Sequence, residues 1–193
     1  MTNSTGVVRE EFHLTGKDFT TSATLFTPVD RQPSSFAVLF PGGGSNRNYF
    51  DLYPRGLHGY SQAEHHAKAG IAVLAINHAI PPAYADTPEE RVREAARLDA
   101  AAVAAAFELV DSGMSSTLES ATDLPRTGVG HSMGSSILTV LQAEHRLFDR
   151  IALIGWSAKQ TALATPPPEL GDIGFRTREH FRWAYHWDEE EDW

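Results

Sequence analysis

The sequence predicts an α/β fold, a mostly parallel sheet with helices on both faces. Three observations carry that expectation. Short, largely apolar runs at residues 36–40, 71–77 and 150–156, the first continuously so, have the length of strands buried on both faces. Segments with helix caps or helical apolar spacing stand between them. Strand–helix alternation of this kind places parallel strands in one sheet through right-handed crossovers.

Residues 9–14 (REEFHL) and 23–28 (ATLFTP) alternate roughly, with Gly16 and Asp18 between them, and read as an antiparallel pair. Residues 36–40 (FAVLF) form the first buried strand and end at Pro41-Gly42-Gly43-Gly44. Residues 61–70 read as a helix capped by Ser61 and stopped by Gly70. Residues 71–77 (IAVLAIN) are the next buried strand. Thr87, Pro88 and Glu90 supply an N-cap, a proline in the first turn and a capping-box acid. The alanine-rich helix that follows runs to Val110 and is ended by Asp111-Ser112-Gly113. A short strand, TGVGH, leads into a helix with Ile137, Leu138, Leu141 and Leu147 on one face. Residues 150–156 (RIALIGW) complete six strands, the last again read as buried.

Composition bounds the function. The 193 residues are 41% hydrophobic and 21% charged, ordinary for one globular domain with a sizeable core. The absence of cysteine removes disulfides, thiolate metal sites and cysteine nucleophiles, and fits a reducing, cytoplasmic setting. The polar N-terminus has no apolar core of a secretory signal, and no run reaches the roughly 18 apolar residues of a membrane span. A net charge of -9 disfavours nucleic-acid or anionic-membrane partners. The acidic run at residues 188–192 reads as a solvated end.

The chemistry concentrates at Gly130-His131-Ser132-Met133-Gly134. A strand turning sharply into a helix leaves its apex residue strained and exposed, and small residues two positions either side let the backbone close there. The apex then stands above the carboxyl edge of the sheet, where open α/β folds bind ligands. Gly42, Gly43 and Gly44 let backbone N–H groups approach a substrate. The N–H of Gly43 pairs naturally with that of Met133 as an oxyanion hole. Rival motifs fail: the glycine run lacks the Gly-Lys-Ser/Thr of a phosphate loop, and position 133 of GVGHSMG is Met where a dinucleotide fingerprint requires Gly.

These residues carry a resemblance. Gly130 to Gly134 resembles the nucleophile elbow after the fifth strand of α/β-hydrolases. Pro41 to Gly44 resembles their His-Gly-Gly-Gly oxyanion loop, with Pro in place of His. The match covers roughly residues 7 to 157, so residues 1–157 read as the N-terminal part of the core and 158–193 as a cap-like segment. It implies Ser132 as nucleophile and Gly43 and Met133 as oxyanion donors, and the expectation is a serine hydrolase acting on a carboxylic ester of a small-to-medium acyl substrate, with no metal or cofactor. The oligomeric state is left open.

The resemblance also implies an acid after a seventh strand and a histidine after an eighth. Two further strand–helix units need about 30 residues each, and residues 158–193 do not read as strands, so the expectation is a chain truncated before both. A degenerate hydrolase acting as a binding module is the rival. Asp172, His180 and His186 follow Ser132 in the required order, but no strand separates Asp172 from His180 to hold them against it. Phe181, Trp183, Tyr185 and Trp187 alternate as an apolar lid would. His131 reads as a structural hydrogen bonder pointing away from Ser132. His78 reads as a loop residue or a lining of the pocket. His65 and His66 cannot share one helical face, which argues against a metal pair.

Overall fold

Nine-residue antiparallel strands β1 (Val7–Thr15) and β2 (Thr20–Pro28) open the chain and pair in register from Val7 with Pro28 to Thr15 with Thr20. The computed structural model describes residues 6–55, 57–79, 86–157 and 168–170. The elements that follow are β3 (Ser35–Phe40), a 3-10 turn (Arg47–Phe50), α1 (Gln62–Lys68) and β4 (Ile71–Ile76). Then come α2 (Pro88–Leu109), β5 (Arg126–His131), α3 (Met133–His145) and β6 (Arg150–Ile154). The chain divides into two units, Met1–Trp156 and Ser157–Trp193. The second is described only at the 3-10 turn Pro168–Leu170, so Asp172, His180, His186 and the alternating aromatics lie outside the described residues.

The six strands form one sheet in the order β1-β2-β4-β3-β5-β6. β2 meets β4 antiparallel, and β4, β3, β5 and β6 are mutually parallel. The apolar runs explain the arrangement, because β3 and β4 bury five of six positions each and need cover on both faces. Two separate cores provide it. One packs Phe36, Val38, Phe40, Leu74 and Ile76 against residues of α2 and α3. The other packs Ala37, Leu39, Val73 and Ala75 against α1 and Phe50.

Capping chemistry places the helices as the sequence predicts. Ser61 accepts the Glu64 N–H to start α1, and Thr87 and Glu90 form a reciprocal capping box at α2. Gly113, at φ 81°, ends the π turn that continues α2. The β3–α1–β4 unit steps to one side of β3, and the chain then returns through α2 to pair β5 on the other side. The reversal puts a crevice at the carboxyl ends of β3 and β5.

β6 corrects the sequence expectation. Its five residues are all exposed, with Ile151, Leu153 and Ile154 at 38%, 38% and 44%. An apolar run signals burial only if both faces and both edges find partners. Among the described residues β6 pairs with β5 alone and is the sheet's edge.

Candidate active site

The crevice is built from two backbone turns held against each other. At the first, β5 ends at His131 and α3 begins at Met133, leaving Ser132 between them at φ 51°, ψ −118°. An L-residue is strained there by about 1–3 kcal/mol, and such strain persists only where surroundings over-determine it. Four contacts do so. The Ser132 N–H donates to the Ile154 carbonyl at 2.8 Å, and the Ser132 carbonyl accepts the Ser135 N–H at 2.9 Å. The Ser135 hydroxyl, fully buried, donates to the Gly130 carbonyl at 2.6 Å and accepts the Ile154 N–H at 3.2 Å.

Both flanking glycines are sterically required. A Cβ on Gly130 would lie 2.6 Å from Ser135 Cα, and one on Gly134 would lie 2.4 Å from the Phe40 and Pro41 carbonyl oxygens. Ser132 is exposed, and among the described residues its hydroxyl has no hydrogen-bond partner. Met133 opens α3, so its N–H is one of the helix donors that no carbonyl within the helix satisfies.

The second turn follows β3. A Cβ on Gly42 would come within 3.4 Å of Ser132 Cβ and 3.0 Å of His131 Nδ1, so the loop passes directly against the elbow. Its course is fixed at several points. Ser45 N–H closes a turn onto the Gly42 carbonyl, and Asn46 caps the 3-10 turn. Arg47 donates its N–H to Asn77 Oδ1 at 2.8 Å and reaches Thr24 and Glu11 through its guanidinium. Gly43 thus stands in a braced loop beside Ser132.

One histidine departs from expectation, and a second is the loop residue expected. His131 makes no side-chain hydrogen bond among the described residues; its Nδ1 is buried without a partner. It is held instead by stacking on Tyr49, with centroids 4.9 Å apart and planes 14° off parallel. The reason is the elbow itself, which turns the side chain next to Ser132 toward the 3-10 turn. His78 lies in the loop directly after β4, as expected, and hydrogen bonds at both ring nitrogens hold it there. Its Nδ1 lies 2.6 Å from Asp99 Oδ2, its Nε2 lies 2.8 Å from the Pro41 carbonyl, and Asp99 Oδ1 accepts the Ala79 N–H at 2.8 Å. Asp99 is fully buried. Burial works against charge on His78. The hydrogen bond and charge of Asp99, with the Pro41 carbonyl, outweigh it and hold the imidazole above its ordinary value.

The sequence reading missed Asp99. Its signal was a lone acid in the otherwise apolar stretch Leu98–Val103 of α2, where an unpaired buried charge is not tolerated. On α1, His66 is near Gln62, and its burial and the neighbouring His65 lower its pKa below the ordinary value. No cluster of metal-ligating side chains occurs among the described residues. No described helix is long and apolar enough to cross a membrane.

No protein-family model matches this chain, and no curated protein matches it in sequence. Solved structures do match in fold. The PEG-bound complex of a cold-adapted esterase from an Arctic intertidal metagenomic library superposes with a TM-score of 0.55 at 17% identity, covering 79% of this chain. The zinc-bound structure of such an esterase gives 0.54 at 17% identity. The matched part spans 62% and 60% of those esterase chains. The mostly parallel sheet, its helices on both faces and these likenesses give the chain an α/β-hydrolase-like fold.

Proposed function

We propose that the chain carries the nucleophile of a serine hydrolase that cleaves a carboxylic ester, or a related acyl bond, of a small-to-medium substrate. The observation that carries this reading is Ser132, held at a strained φ of 51° with its hydroxyl exposed above the switch point. Such strain is retained where it serves a site. In this reading the Ser132 Oγ attacks the acyl carbonyl as its proton passes to a base outside the described residues. The C=O π bond opens to a tetrahedral oxyanion, and collapse expels the protonated alcohol to leave an acyl-serine that water hydrolyses. The N–H groups of Gly43 and Met133 receive the oxyanion, and the dipole of α3 favours the same charge. The esterase names among the fold's neighbours support the substrate class. The setting is cytoplasmic, in keeping with a chain that contains no cysteine.

One observation favours a second reading, a degenerate hydrolase that binds without turnover. Among the described residues no histidine hydrogen-bonds to Ser132, and the one buried His–Asp pair points at Pro41.

A fluorophosphonate separates the two. The hydrolase reading expects one stoichiometric adduct on Ser132, absent from Ser132→Ala, and p-nitrophenyl ester turnover that falls sharply in that variant. Residual turnover in Ser132→Ala is expected, since oxyanion binding alone gives about 1000-fold over water. An intact fold with no adduct on the wild-type serine would sink the hydrolase reading.

A further inference from the structure

We propose that His78 and Asp99 form a clamp whose grip on the Pro41 carbonyl sets the glycine loop against Ser132. His78 is thus a positioning residue for the oxyanion hole; the catalytic part of this inference rests on the hydrolase reading. The Pro41 carbonyl can only accept, and an ionised Asp99 can only accept. Both ring nitrogens of His78 must therefore donate to satisfy both partners, at 2.8 Å and 2.6 Å. Only the imidazolium has two N–H donors. Opposite a carboxylate, a neutral ring forfeits one of the two bonds.

The placement makes this consequential. Pro41 is the first residue after β3 and Gly43 lies two positions on. The Pro41 carbonyl oxygen also lies where a Cβ on Gly134 would collide at 2.4 Å, so it touches the elbow's own backbone. One carbonyl thus sits between the His78 ring and the first turn of α3. The pair has the composition of a catalytic His–Asp couple, yet no hydrogen bond joins it to Ser132 among the described residues, because β3 lies between β4 and β5.

The surroundings of the ring are simple. α2 contributes Asp99, and the end of β3 contributes the Pro41 carbonyl and the Phe40 ring, 6.4 Å away and nearly parallel. Among the described residues no other charged group acts on it. The side chain is 14% exposed and Asp99 is fully buried, so the charge is carried by the pair and not by solvent. Losing the proton releases the loop at its root. A displacement of about 1 Å in a catalytic group costs about 100-fold in rate.

The first test needs no variant. Long-range 1H–15N spectra of the wild-type protein should find protons on both His78 nitrogens at neutral pH. The amide shifts of Gly42 and Gly43 should titrate with the His78 midpoint. Gly42 and Gly43 amides indifferent to that midpoint overturn the clamp. The second test reads the site. Fluorophosphonate labelling of Ser132 should slow as pH rises through the same midpoint. His78→Ala should label about 10- to 100-fold more slowly. His78→Gln keeps an N–H donor for Pro41 without titrating, so it should recover most of the rate and lose that pH break. Wild-type labelling by a folded His78→Ala also overturns the proposal. If Ser132 labels at no pH while the glycine amides still follow His78, the hydrolase reading falls and the clamp stands.

Discussion

At the scale of single residues the site is a matter of missing atoms. Gly134→Ala would put its Cβ 2.4 Å from two backbone oxygens, Phe40 and Pro41, and no rotamer change relieves a backbone clash. The variant should lose about 1–3 kcal/mol of stability, seen as a lower urea midpoint at unchanged slope. A loss under a few tenths would mean the loop yields, and with it the claim that β3 and the elbow are locked together. Ser132→Gly probes the strain from the other side. Relief of about 1–3 kcal/mol is offset by glycine's extra chain entropy of about 0.5–1 kcal/mol. The variant should unfold at an equal or higher urea midpoint than the wild type, and a clearly lower one would show that φ 51° is not strained here. Ser132, Gly130 and Gly134 were legible in the sequence because an elbow is contiguous: strand, small residue, apex, small residue, helix. His78 and Asp99 were not. They are 21 positions apart, and only the packing of α2 on the end of β4 brings them together.

At the scale of elements, one hydroxyl joins β5, α3 and β6. Ser135 sits in the first turn of α3, donates to Gly130 at the end of β5 and accepts from Ile154 of β6. Ser135→Ala removes little volume but leaves the Gly130 carbonyl and the Ile154 N–H short of a partner. The expected loss is about 1–3 kcal/mol, with faster amide exchange at Ile154 than at Leu74 in β4. Uniform acceleration across the sheet would instead mean that Ser135 acts only through global stability. The types of these elements were readable because each has a local cause: apolar runs for β3 and β4, a capping box for α2, glycine and serine for α1. The exposure of β6 was not readable. Four residues of Ile, Ala and Leu character after Arg150 signal a strand, but whether anything covers a strand is a property of its neighbours and not of its own sequence.

At the scale of the whole molecule, two histidines shape the response to pH near neutrality, with opposite sign. His78 has a folded pKa above its ordinary value, so its contribution is complete below the unfolded value of about 6.5 and is lost as pH rises through the folded value. His66 has a folded pKa below its ordinary value, from burial and the charge of His65. Its contribution is complete above about 6.5 and is lost as pH falls through the folded value. The carboxylates act further down. Burial raises Glu10, but hydrogen bonds from Ser115, Ser116 and Thr117 outweigh it and hold it low. Burial likewise raises Asp111, and bonds from Thr122, Ala121 and Ser120 outweigh it. Both contributions fade only as pH drops through their depressed values. Asp51 runs the other way: burial, only partly countered by Ser61 and Arg9, raises it, so acid relieves it. The two histidine windows lie on either side of one value, so unfolding free energy should peak near pH 6.5, at about the unfolded histidine pKa. Urea midpoints between about pH 5 and pH 9 would measure it. His78→Gln should flatten the alkaline limb and leave the acid limb, and His66→Asn should do the reverse. An alkaline limb that survives in His78→Gln would mean that the charge on His78 does not stabilise the fold, and that its bond to the Pro41 carbonyl is not the one that holds the glycine loop.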